Sequence, residues 1–101
     1  MYLEFEKQNE ILITTLIGEL DHSSAEEVRI RIDDRISRDD ISKVILNFSK
    51  VTFMDSSGIG AVVGRYKKVK NKGGHLCIAE TSKNVDRIFE AKEGETPKEP
   101  E

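Results

Sequence analysis

Asp55, Ser56, Ser57 and Gly58 stand side by side, directly ahead of an apolar stretch that carries two more glycines, Gly60 and Gly64. Hydroxyls at the start of a helix lie among unpaired backbone N–H groups and at the positive end of the helix dipole, a setting that suits an anion or a phosphate. The same serines invite a nucleophile reading. A hydrolase elbow needs glycine two residues before the serine, yet Met54 stands two before Ser56 and Asp55 two before Ser57. Of the two histidines, His22 falls in a strand-to-helix loop and could in principle reach the serines as a base, whereas His75 opens a strand toward the opposite end. One cysteine and two histidines 53 positions apart have no metal-ligand spacing. No catalytic residue, metal or cofactor is therefore expected, and the chain reads as a binding module rather than an enzyme.

A second pattern competes. Gly58-Ile59-Gly60-Ala61-Val62-Val63-Gly64 opens a helix, and Glu80 follows 22 residues after Gly58 at the end of the next strand, where a dinucleotide fold places its ribose-binding acid. Against it, the apolar strand is expected to end near Phe48, ten residues before the first glycine, and only one helix is expected after Glu80. A dinucleotide-binding fragment of an oxidoreductase stays as the alternative. Glycines so early in a helix cost about 1 kcal/mol each against alanine in a helix interior, so either a ligand or the sheet must approach the backbone closely there.

These groups need elements to position them. Leu3 and Phe5 alternate with Glu4 and Glu6, and Ile11 to Ile17 is apolar on both faces, which predicts two strands turned at Lys7-Gln8-Asn9-Glu10. Ser23-Ser24-Ala25-Glu26-Glu27 offers two overlapping capping boxes, and Ala25, Val28, Ile32 and Ile36 carry a helical stripe to about Arg38. Val44 to Phe48 reads as a buried parallel strand. Ile59, Val62, Val63, Tyr66 and Val69 form one helical stripe, capped by Asp55 or Ser56 and ended at Asn71-Lys72-Gly73-Gly74. Arg65, Lys67, Lys68, Lys70 and Lys72 are read as its solvated back. A strand at 75–79 and a short helix with Val85, Ile88 and Phe89 on one face complete the order ββαβαβα, an α/β fold with a mixed, mainly parallel sheet.

In such a sheet the strand-to-helix loops emerge at one edge, where ligands bind. Asp21-His22, Met54-Asp55-Ser56-Ser57 and Glu80-Thr81-Ser82 all occupy such positions. Ser23 and Ser24 already supply the cap of their helix, which leaves Asp21 for a partner.

The composition fits one cytosolic domain: 37% hydrophobic, 35% charged, with no apolar run approaching 18 residues and no basic-then-apolar leader. A net charge of −3 and six aromatics without tryptophan argue against nucleic acid as a partner. Cys77 lies in the apolar run Leu76-Cys77-Ile78-Ala79 and reads as a small buried hydrophobe.

GELDH at 18–22, VILNF at 44–48 and FMDSSGIGAVVGRYK at 53–67 resemble the anti-sigma factor antagonists, small bacterial proteins built from a STAS domain, and most closely those of sporulation. The resemblance implies an antagonist whose unphosphorylated form binds an anti-sigma factor that is also a serine kinase, and so frees a sigma factor. Phosphorylation would switch it off, and a PP2C-type serine phosphatase would reset it. The acceptor serine maps to Ser56, with Ser57 its neighbour and Asp21 the acidic contact for the kinase. Asp21, His22, Asp55, Ser56, Ser57, Gly58 and Gly60 are the expected partner-binding residues. A non-switching STAS scaffold is the further alternative.

The resemblance covers about residues 1 to 90. Members continue into another strand and a final helix, whereas Ala91 to Glu101 holds both prolines, four glutamates and no large apolar residue. The expectation is a STAS domain over residues 1–91 lacking that last strand and helix, then an acidic, proline-containing disordered tail at 92–101. An uncovered sheet edge would let a monomeric domain self-associate weakly.

Overall fold

A computed structural model describes residues 1–79. Strands β1 (Tyr2–Gln8) and β2 (Ile11–Leu20) form an antiparallel hairpin whose two-residue turn puts Asn9 at φ 58°, a left-handed conformation that asparagine tolerates better than most residues. Helix α1 (His22–Arg38) leads to β3 (Lys43–Met54), and α2 (Ser56–Asn71) leads to β4 (His75–Ala79). The sheet order is β1-β2-β3-β4, with β2, β3 and β4 mutually parallel. This is the expected mixed, mainly parallel α/β sheet. The loop Glu80-Thr81-Ser82, the short helix expected after it and the acidic tail lie outside the described residues.

Both helices pack on one sheet face and on each other. Leu12, Leu16, Leu20, Val44, Leu46, Phe48 and Leu76 point into that layer and meet Val28, Ile32 and Ile36 of α1 and Ile59, Val62 and Val69 of α2. The alternate strand residues Ile11, Ile13, Ile17, Ile45 and Cys77 face the other side and are only half-buried, so neither apolar strand is covered on both faces as their composition suggested.

Two strands run further than expected. Strand β2 continues to Leu20, and β3 to Met54 rather than Phe48. Between the pairs Thr15↔Asn47 and Leu20↔Met54 the register shifts twice, each time with an extra residue on β3. These are β-bulges, which break the alternation of side chains and bend the strand. Asn47 Oδ1 supports the first by accepting from Ser49 N at 2.9 Å and Ser49 Oγ at 2.8 Å. The second turns Phe53 outward, 48% exposed, and returns Met54 to the core. Because β3 ends one residue before Asp55, the turn into α2 is tight, and the expected ten-residue gap before Gly58 does not exist.

The basic face of α2 also differs from expectation. Arg65 is buried at 7% exposure, its Nε lies 2.7 Å from Asp33 Oδ1 on α1, and its Nη1 donates to Ala61 O at 3.2 Å. The Nε–Oδ1 approach lies off the N–H axis, so neither atom completes a hydrogen bond and charge holds the pair. Lys72 stays exposed but is tied down: Nζ donates to Ile36 O and Ile41 O, both at 3.3 Å, and so satisfies carbonyls at the end of α1 and just beyond it.

Candidate functional site

Strand register decides what meets at the carboxyl edge. Leu20 pairs with Met54 at the ends of β2 and β3, so the following residues, Asp21-His22 and Asp55-Ser56-Ser57, emerge together as expected. Asp55 has extended backbone (φ −115°) and caps α2, its Oδ1 accepting from Gly58 N at 3.1 Å. Its Oδ2 accepts from His22 N, the first amide of α1, at 3.2 Å, and its own amide donates to Leu20 O at 3.3 Å. One carboxylate thus occupies N–H groups at both helix starts. Ser56, the first residue of α2, is exposed; Ser57 is half-buried.

Asp21 caps α1, contrary to the assignment of that cap to Ser23 or Ser24. Its Oδ1 accepts from Ser23 N at 3.1 Å, Ser24 N at 3.2 Å and Ser23 Oγ at 2.8 Å, while Ser24 Oγ accepts from Asp21 N at 3.0 Å. This is a capping box with serine in the place that glutamate or glutamine usually takes, which is why scanning for a serine followed by glutamate misplaced it. The Ser23 hydroxyl and then the backbone and side-chain bonds from Ser24 hold the Asp21 carboxyl below its ordinary 3.8, against the opposing effect of desolvation. Asp21→Ala is therefore expected to lower Tm by about 5 °C at neutral pH. A depressed folded-state pKa means that the stabilisation is complete above the ordinary carboxylate value and is lost as pH falls through the lower one. Calorimetry should show the gap between variant and wild type closing in strong acid.

The glycines divide by role. A Cβ on Gly58 would strike Leu20 O and come within 2.8 Å of Leu20 Cγ and 2.9 Å of Met54 Cγ. The close approach is thus made by the protein's own sheet. With Asp55 on the Gly58 amide as well, Gly58 is taken up by the protein's own contacts, and this weighs against the dinucleotide alternative in place of the strand-length argument. Gly60 and Gly64 have open space where a Cβ would stand. Gly58→Ala should cost about 2–3 kcal/mol, because backbone must shift, whereas Gly60→Ala should gain about 0.5–1 kcal/mol; urea unfolding of both variants checks the contrast. Phe53, which hydropathy alternation does not single out, adds an exposed ring two residues before Asp55.

Residues 2–93 match the STAS domain, and the chain belongs to that family. It is 36% identical to the anti-sigma F factor antagonist of Paenibacillus polymyxa over 90 residues, which cover 89% of this chain and 77% of that protein. Its fold is similar to the anti-sigma factor antagonist SpoIIAA in its unphosphorylated form, with a TM-score of 0.74 and 31% identity over 88% of this chain and 82% of that one. The Bacillus cell fate determinant SpoIIAA in its phosphorylated form gives 0.75 and 30%, over 91% and 84%. Among the described residues no helix is long and apolar enough to cross a membrane.

Proposed function

We propose that this chain is a cytoplasmic anti-sigma factor antagonist that works as a phosphorylation-switched binding module. The unmodified protein binds an anti-sigma factor through the edge formed by Asp21, His22, Asp55, Ser56, Ser57, Gly58 and Gly60, and the sigma factor is released. The anti-sigma factor is also the kinase. Ser56 Oγ attacks the γ-phosphorus of ATP, the bond to ADP breaks, and the hydroxyl proton leaves to the kinase. A PP2C-type phosphatase returns the serine with water, releasing inorganic phosphate. The phosphoryl chemistry thus belongs to the partners, and this chain is no enzyme.

The observation that carries the reading is the place of Ser56: exposed, first in α2, directly after the aspartate that caps that helix and beside the Asp21-His22 loop. The family membership and the two phosphorylation states recorded for SpoIIAA support it. A phosphoserine brings about −1.5 to −2 charges. Unit charges ~4 Å apart at an effective dielectric of ~20 interact by ~4 kcal/mol, while 1.4 kcal/mol changes affinity tenfold. The phosphate needs no refolding to expel a partner that must cover this edge closely. Incubation with the anti-sigma F factor of Paenibacillus polymyxa and ATP, followed by mass spectrometry of the peptide spanning residues 44–65, should place one phosphate on Ser56. Phosphate on Ser57 instead, or none, rejects the assignment.

A further inference from the structure

We infer that Asp55 is the positioning residue of the switch, holding the Asp21-His22 loop in fixed register with Ser56; the inference rests on the antagonist function proposed above. Capping α2 needs one acceptor, which serine or asparagine would supply as well as aspartate. Asp55 uses its second oxygen elsewhere, on His22 N. Its amide meanwhile donates to Leu20 O. Asp55 therefore grips the residues on both sides of Asp21, one through its backbone and one through its side chain, and its next neighbour in the chain is Ser56. The spacing between the acidic contact and the acceptor hydroxyl is set by this one residue. A partner that reads Asp21 and Ser56 together binds a surface ordered in advance, and loses affinity when the loop is released.

Asp55→Ser keeps a cap for Gly58 and removes the bridge; Asp55→Asn, closer in shape, presents an amide group where an acceptor is needed and serves if the serine variant does not fold. In the wild type, the His22 amide should resist hydrogen exchange as Gly58 does. In Asp55→Ser the protection of His22 should be lost and that of Gly58 kept. The folded variant should bind the anti-sigma F factor of Paenibacillus polymyxa about tenfold more weakly. The discriminating measurement is a double-mutant cycle: Asp21→Ala should weaken the wild type about tenfold but the Asp55→Ser background only about twofold, because a released loop no longer presents Asp21. A His22 amide that exchanges freely in the wild type overturns the inference. So do a folded Asp55 variant with unchanged affinity, and effects of the two substitutions that simply multiply. A wild-type chain that neither binds nor accepts phosphate overturns the function itself, and the positioning role with it, whatever the exchange at His22.

Discussion

Ser56→Ala is expected to accept no phosphate from an anti-sigma kinase while keeping its fold and its affinity for the unmodified partner surface. The hydroxyl can be removed cheaply because Asp55, not Ser56, caps α2 and because the Ser56 side chain is exposed. The result is an antagonist that stays active in the presence of ATP, read by incorporation of labelled phosphate and by retention of the kinase complex on a sizing column. Ser56→Asp should weaken the complex by less than true phosphorylation does, since it carries one charge on a shorter arm. Ser57→Ala should still be phosphorylated on Ser56. Loss of the complex in Ser56→Ala with the fold intact would show that the hydroxyl is itself a binding contact and would contradict the expected pattern.

The second large effect lies between the helices. Asp33→Ala leaves the Arg65 guanidinium buried at 7% exposure without its counter-charge, and the cost should be about 3 kcal/mol in urea unfolding. Burial pushes the Arg65 guanidinium below its usual value, and the charge of Asp33 opposes that push; Arg29 nearby acts with burial. The value stays at the low end for a broken buried pair because the Asp33 side chain keeps 23% of its surface in water. Replacing both partners, Asp33→Leu with Arg65→Met, should recover most of the loss, since a well-packed apolar pair needs no desolvated charge. A double variant no more stable than Asp33→Ala alone would show that the pair contributes through attraction rather than through avoidance of an orphaned charge.

Both helices and the hairpin were legible from periodicity and turn chemistry, since the alternation at Leu3 to Glu6 and the stripe Val28, Ile32, Ile36 follow the geometry of their elements. The end of β3 was not. Its bulges break the two-residue period, and Ser49, Lys50 and Thr52 are the polar residues of a loop, so a pattern search stops at Phe48. Arg65 was missed for a different reason. Gly58, Ile59, Ala61, Val62, Arg65 and Val69 are the buried set of α2, and Arg65 falls among them at the spacing that a helix stripe requires, but a charged residue is excluded from a core by type before its spacing is weighed. Of the site, the meeting of the two loops followed from parallel topology. The bridge by Asp55 did not, because a bond to a backbone amide leaves no trace in the identity of His22.

The bond between His22 and Asp55 joins residues 33 apart in the chain, across the parallel pairing of β2 with β3. The hairpin β1–β2 can close locally, but this pairing must wait until α1 has folded back over the sheet, and non-local parallel pairing is the slow kind of step. Asp21 and Ser56 share a surface only once that zipper has reached its last rung, Leu20 with Met54. On the function proposed above, recognition is coupled to completion of folding: a chain that has not paired β2 with β3 carries every residue of the motif and does not present it as one surface.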